Sequence, residues 1–325
     1  MEVNQIVDST SSIDEVVLES SHDQFIHANT LAIGSTELRN SCIIPSFAKD
    51  NESTISHTHF IEGVYNAAQS WFKGESILEP SIRVSHPVKG RIPSAMGKPA
   101  KLLQEDEKTL YYERMAFIME VPTIRDTING NELALTIGGV RAYNLENLYS
   151  KKVEEKFKVF IGFKNRVCTN LCISTDGLIG ELRARTVAEI ADQAFRLFTG
   201  FDAPLQLNRM SEFGNEFITE QQFALLVGRS KMYNYLPPKL KKEIPVTMPL
   251  VDSQISIITK AYYQDENFSR SEFGGLSLWK LYNLFTDANK SSYIDTFLDR
   301  AAGSLSFIEG LQTALRTGTN HWFLS

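Results

Sequence analysis

The chain has 325 residues, 42% hydrophobic and 22% charged, with a formal net charge of -6 and three cysteines. This is ordinary globular composition, long enough for one large or two smaller cores. No run approaches the roughly 18 apolar residues of a membrane-crossing helix, so a helical membrane protein is excluded, and three cysteines without an even framework read as reduced thiols of a cytoplasmic protein.

The acidity sits at one end. Residues 1–50 hold eight acids against Arg39 and Lys49, and the other 275 residues carry 31 of each sign. The opening "MEVNQIVDSTSSIDEVVLESS" has neither a basic start nor an apolar stretch, so no secretory signal is expected. Residues 1–55 read as a flexible leader: a solvating tail, a partner-binding strip or a screen over a basic surface.

The first helix expected is "HTHFIEGVYNAAQSWFKG", with Phe60, Val64, Ala67, Ala68 and Trp71 at helical spacing and Gly74 as its stop. The Pro- and Gly-rich "PSIRVSHPVKGRIPSAMGKP" reads as a loop with at most a short strand over Ile82–Ser85. Strands follow in "YYERMAFIMEV", after an Asn-Gly turn in "NELALTIGGVRAY", in the alternating "KFKVFIGF", and in "LIGELRAR". The pair Gly138-Gly139 suggests a bulge. The period then turns helical. "TVAEIADQAFRLF" and "TEQQFALLVGRSKMYNYL" open at capping-box spacing, Thr186 to Glu189 and Thr219 to Gln222. "DSQISIITKAYY", "SLWKLYNLFTDA" and "SSYIDTFLDRAAGSLSFIEGLQTAL" follow, with loops near 200–218, 236–251 and 264–276. The expected class is α+β: a mostly antiparallel sheet with flanking helices over 56–200, and a helical bundle over 201–325 packed on it.

Chemistry-bearing clusters are few. Cys168 and Cys172 would stand about 13 Å apart on one face of a strand, too far to share a zinc. With no further ligand pair, they read as small buried thiols, with a metal site or a reactive thiol beside Arg166 as alternatives. His57 and His59 with Glu62 diverge on a helix and read as surface residues rather than metal ligands. Asp126 and Glu132 resemble a nuclease strand only loosely, and Asp295 and Asp299 read as a solvated helix face. No P-loop, GxGxxG, GxSxG or HExxH occurs. No metal and no cofactor is expected.

The basic residues are the stronger signal. Lys151 to Arg185 holds eight bases against Glu154, Glu155, Asp176 and Glu181. In "KFKVFIGFK", Lys156, Lys158 and Lys164 share one parity and Phe157, Val159, Ile161 and Phe163 the other, which predicts one core face and one wet, cationic face. Arg166, Arg183 and Arg185, with Lys89 and Arg91 of the proline-rich loop, complete a candidate surface for nucleic acid, single-stranded DNA more than double-stranded. Tyr111, Tyr112, Phe160 and Phe163 are its candidate base-stacking aromatics. A solvated sheet face is the plainer alternative.

The blocks "IRVSHPVKGRIP", "YYERMAFIMEVP", "GGVRAYNLENLYSKK", "FKVFIGFKNRVCTNLCISTDG" and "LWKLYNLFTDANKSSYIDTFLDR" resemble an uncharacterised bacterial family of mobile elements, a domain of unknown function. That family is similar in turn to a phage/plasmid-like group of unknown function. The shared points are "R-V-C-x-N" (Arg166, Val167, Cys168, Asn170) and "Y-N-x-x-T" (Tyr282, Asn283, Thr286). The broader group's Arg-His-Thr is here Ala184-Arg185-Thr186, without the histidine. The resemblance implies a plasmid or integrative-element setting and supplies no activity. With it, Arg166–Asn170 reads as a core strand. Two functions stay open: nucleic-acid binding through the basic sheet face, or a protein-binding anti-defence or regulatory module acting through the helical half, with a protein partner or a second copy of the chain. An enzyme is a third reading.

Overall fold

The computed structural model describes residues 24–42, 54–95, 97–145 and 154–325. Strand β1 (Leu31–Ile33) and helix α1 (Ser35–Ser41) come first. Helix α2 (His57–Trp71) starts at Ser56, whose side chain accepts from the His59 N–H, and buries Phe60, Val64, Ala67 and Ala68 as the spacing predicts. Strands β2 (Ser81–Val84), β3 (Pro87–Arg91), β4 (Lys108–Tyr112), β5 (Arg114–Ile128) and β6 (Asn131–Ala142) follow. Between β5 and β6, Asn129 and Gly130 have φ of 49° and 80°, the paired positive values of a tight hairpin turn that Asn-Gly adopts readily. Strands β7 (Glu155–Asn165), β8 (Leu171–Cys172) and β9 (Leu178–Ala184) complete the sheet.

Seven strands pair antiparallel in the order β1-β2-β5-β6-β7-β8, with β9 also on β7. Strand β3 lies inside the stretch read as loop and pairs with β4 beyond it, as a hairpin separate from the main sheet. The second half holds α3 (Val187–Gly200), α4 (Ala203–Glu212), β10 (Phe217–Ile218), α5 (Glu220–Tyr235), α6 (Pro238–Lys241), α7 (Asp252–Gln264), β11 (Leu276–Ser277), α8 (Leu278–Asn289) and α9 (Ile294–Thr317). The class is α+β, as expected. Helix α4 lies where a loop was expected: Asp202 caps it by accepting from Leu205 N, and it anchors itself with only Gln206 and Met210. Among the described residues, no helix is long and apolar enough to cross a membrane.

Strand alternation sends two different sets of side chains to the two faces. Met115, Phe117 and Met119 of β5, Leu135 and Ile137 of β6 and Phe157, Val159 and Ile161 of β7 join one large core with α2 and α3. On the other face, Ala116, Ile118, Val140, Phe160, Leu171 and Ile173 meet Phe297, Leu298, Ala301 and Ala302 of α9. This corrects the expected wet face of β7, whose centre is covered by α9. The charged parity is real only at the two ends of the strand, and Phe160 between them is buried.

Three further expectations change. Gly138 and Gly139 pair in regular register with Ile118 and Phe117, and the sheet's irregularity lies at Val121/Arg125 instead. The glycines make room: a Cβ on Gly138 would stand 2.8 Å from the Phe160 ring, and one on Gly139 2.5 Å from the Phe60 ring. The leader is not flexible throughout. Phe25 and Ile26 are buried under α9, Ile33 and Leu38 lie in the larger core, and β1 forms the edge beside β2. A three-residue strand has too few positions for its alternation to be read; its neighbour's edge defines it. Residues 1–23 and 43–53 lie outside the described residues. Finally, Arg166–Asn170 is a turn rather than a strand. Strand β7 ends at Asn165, Thr169 has φ 57, and β8 returns with Cys172 opposite Phe163.

Candidate functional site

The eight cations singled out in the sequence fall into separate groups. Lys158 of β7 reaches α9, where Nζ donates to the Asp295 carbonyl at 2.8 Å and pairs with the Asp299 carboxylate. Asp295 itself lies 3.9 Å from Arg114, so these two aspartates border the sheet rather than forming a purely solvated face. Lys156 and Arg183 share Glu181 across β7 and β9, and these two bases hold that carboxyl below its usual range. Lys164 pairs with Glu120, and Arg166 reaches Glu132 at 3.0 Å and Glu120 at 3.7 Å. Arg185 lies 3.8 Å from Glu154. Lys89 and Arg91 stand on the β3–β4 hairpin, apart from the main sheet; Arg91 Nη1 donates to the Lys98 carbonyl. Lys151 and Lys152 lie outside the described residues. Of the proposed stacking aromatics, Tyr112, Phe160 and Phe163 are buried, and Tyr111 is half-buried.

The turn Arg166–Asn170 and the helix segment Tyr282–Thr286 are halves of one contact. Asn165 Nδ2 donates to Asn283 Oδ1 at 3.1 Å, and Asn170 Nδ2 donates to the Asn283 carbonyl at 3.0 Å. Asn283 Nδ2 donates in turn to Trp279 O, one turn back on α8. All three asparagines are fully buried. The turn between Asn165 and Asn170 is exposed at Arg166 and Val167; Asn165 Oδ1 accepts from Val167 N at 3.0 Å within it, and the bonds to Asn283 hold its two ends against α8. Lys290, also buried, donates to the Cys168 carbonyl and pairs with Asp287. The leader joins the same corner: His27 N donates to Lys290 O at 2.8 Å, and Thr169 Oγ1 donates to Gln24 O at 3.1 Å.

The thiols are shielded. Burial, with smaller opposing effects, pushes Cys168 up to about 11, and burial pushes Cys172 up to about 12. Cys42, half-buried, is also raised by burial. Since the thiolate is the reactive species, Ellman's reagent near pH 8 should label Cys168 and Cys172 in the native protein on the order of a hundredfold more slowly than free cysteine, and rapidly once denatured. Fast labelling of either in the native protein would contradict this. His57 is buried with Nε2 2.8 Å from the Tyr112 carbonyl, and desolvation holds its pKa down at about 3. Among the described residues, no group of three or more His, Cys, Asp or Glu side chains is placed to hold a metal ion.

One feature of the helical half escaped sequence reading. Helix α5 buries Phe223, Leu226, Ser230 and Tyr233. Its opposite face shows Leu225, Gly228, Met232 at 62% exposure and Tyr235 at 78%. The helix is thus apolar on both sides, and the outer stripe is at i, i+3, i+7, i+10 spacing, legible in "LLVGRSKMYNY" had both faces been traced. Helix α7 runs beside it: Tyr263 Oη donates to Glu220 at 3.2 Å at one end, and Lys231 lies 3.4 Å from Asp252 at the other. On α7, Ile257 and Tyr263 are also exposed, and Phe273, 97% exposed, precedes Gly274, which sits against the Glu220 side chain.

Residues 6–324 match the family model DUF3871, described as a domain of unknown function, "B. Theta Gene description". No curated protein and no solved structure matches the chain.

Proposed function

The chain belongs to this family of unknown function, and on that premise we propose that it is a protein-binding module acting through the outer face of α5 and α7. The sequence resemblance to mobile-element proteins favours reading it as an accessory or regulatory factor of such an element. The observation that carries the reading is the exposed stripe of Leu225, Met232 and Tyr235 opposite a fully packed stripe of the same helix. Contiguous exposed apolar surface of this kind marks association sites more often than solvent-facing helix. The first partner we assign is a second copy of the chain. The rim carries both signs, Glu220 and Asp252 against Lys231, Lys260 and Arg270; Lys231–Asp252 and Arg270–Glu220 pair within the chain, so two copies would meet without a build-up of like charge. Gly228 has open space at its Cβ position, which permits close helix approach there.

Light scattering after size exclusion should give about twice the 36.6 kDa chain mass at micromolar concentrations. Met232→Glu with Tyr235→Glu should give a monomer with unchanged circular dichroism. A wild type that stays monomeric would refute self-association. The nucleic-acid reading has less behind it: Lys156, Lys158, Lys164, Arg166, Arg183 and Arg185 face carboxylates that DNA phosphates would have to displace.

A further inference from the structure

The cations of β7 and β9 are answered by carboxylates: Lys156 and Arg183 by Glu181, Lys158 by Asp299, Lys164 by Glu120. One group in the helical half is not. Helix α6 and the residue after it carry Lys239, Lys241 and Lys242. Lys242 keeps helical φ and ψ, -70° and -19°, so it stands three positions from Lys239 on the same side of the turn. Lys239 and Lys242 are exposed, and neither has a hydrogen-bond or ion-pair partner among the described residues. Lys241 Nζ donates to the Asn234 carbonyl at 3.0 Å and lies 5.2 Å from the Tyr233 ring centre, both neutral groups. Glu243 follows but pairs with none of the three among the described residues. Leu240, 43% exposed, stands between the lysines. Uncompensated positive charge around an apolar side chain fits an anionic partner with apolar side chains of its own.

The chain itself supplies one. Residues 1–23 hold six acids, Glu2, Asp8, Asp14, Glu15, Glu19 and Asp23, and no lysine or arginine. Residues 6–15 set Ile6, Val7 and Ile13 among Asp8, Asp14 and Glu15. Their attachment lies close to α6. Thr169 Oγ1 donates to Gln24 O, and His27 N donates to Lys290 O. Two residues on, Ser292 Oγ accepts from Gln254 Nε2 at 2.8 Å, in the first turn of α7. Four residues before Gln254, Leu250 O accepts from Asn234 Nδ2 at 3.4 Å, and Asn234 O accepts from Lys241. These links sum to a path on the order of 40 Å, and extended chain covers about 3.3–3.6 Å per residue, so residues 6–15 come within reach of α6. Lys290 and Arg166, nearer the attachment, already face Asp287 and Glu132. Tethering presents the segment at an effective concentration on the order of millimolar, an advantage that a free acidic peptide or nucleic acid lacks.

We propose that α6 is the docking surface for the chain's own acidic N-terminal segment, residues 6–15, which lies across Lys239, Lys241 and Lys242 with apolar side chains on Leu240. The contact uses none of Leu225, Met232 and Tyr235, so it stands or falls apart from self-association.

The test uses the full chain. A carbodiimide couples a carboxylate directly to an adjacent lysine amine with loss of water. At low salt it should join Asp8, Asp14 or Glu15 to Lys239, Lys241 or Lys242 within one chain, as peptide mass mapping reads. The products should fall sharply at about 1 M salt, where the Debye length is about 3 Å. Occupancy is measured with a fluorescein-labelled peptide of residues 1–23, followed by anisotropy. Full chain carrying Asp8→Asn, Asp14→Asn and Glu15→Gln should bind this peptide at least about threefold more tightly than the wild type, the factor set by a segment that covers α6 about two-thirds of the time. Adding Lys239→Gln and Lys242→Gln should reverse that gain and leave the melting curve unchanged. No product between residues 6–15 and α6, products only between two chains, or equal peptide affinity in wild type and neutralised chain would overturn the proposal. So would a single-stranded oligonucleotide that binds α6 where the peptide does not, which would make nucleic acid the occupant.

Discussion

A chain starting at residue 43 should fail to fold, whereas one starting at residue 24 should melt cooperatively. The two differ only by residues 24–42, a segment whose acidic, polar surroundings read as leader. It places Phe25 and Ile26 under α9 and Ile33 and Leu38 in the main core, and it supplies the edge strand beside β2. Truncating one such side chain to alanine costs about 2–5 kcal/mol. Losing four of them with their backbone pairing compares with the whole stability of a domain, about 5–15 kcal/mol. Ile26→Ala alone, at a position with no exposure, should lower stability by about 2–5 kcal/mol in urea titration. A 43–325 chain melting within about 5 °C of the 24–325 chain would show that this docking contributes nothing, since 1 kcal/mol is worth a few degrees in a protein of this size.

The second large effect should come from Arg141. Its guanidinium is fully buried, stacked over Tyr143 at 4.4 Å and Phe157 at 4.3 Å. It donates to the Ile55 carbonyl at 2.7 Å and pairs with Glu155. Glu155 in turn accepts from Ile55 N, at 3.1 Å to one oxygen. The ion pair thus clamps both polar groups of Ile55, the residue before the Ser56 cap of α2. Glu155→Leu would leave a buried charge uncompensated and should cost about 3–5 kcal/mol. Arg141→Met with Glu155→Leu should be less destabilised than Glu155→Leu alone, because the second change removes the stranded charge. A double variant whose loss equals the sum of the singles would show that the two residues do not act together.

Much of the fold was legible because local chemistry and tertiary packing agree. Thr186 and Thr219 cap the helices they were expected to open, and Asn129-Gly130 makes the hairpin its dipeptide favours. The failures share a cause: the deciding contact is distant in sequence. Lys158 looked solvated because alternation gives a side but does not say what covers that side, and α9 arrives some 140 positions later. Arg166–Asn170 was read as a core strand on the strength of the family resemblance. Its shape is set by Asn283, more than 110 residues away. The stripe on α5 was within reach, since it needs only the helical period.

The cover that α9 gives the sheet has a kinetic consequence. While the chain is being made, β2 through β9 emerge and can pair before Phe297, Leu298, Ala301 and Ala302 exist to close over Ala116, Ile118, Val140 and Phe160. Until then one face of the nascent sheet is greasy and open, and the N-terminal Phe25 and Ile26 have only half their pocket. Closure must wait for the last tenth of the chain, so folding runs late and through long-range contacts, the regime of slow rates and sticky intermediates. Ribosome-stalled chains ending before residue 294 should therefore engage chaperones, and those extended past residue 317 with a linker should release them.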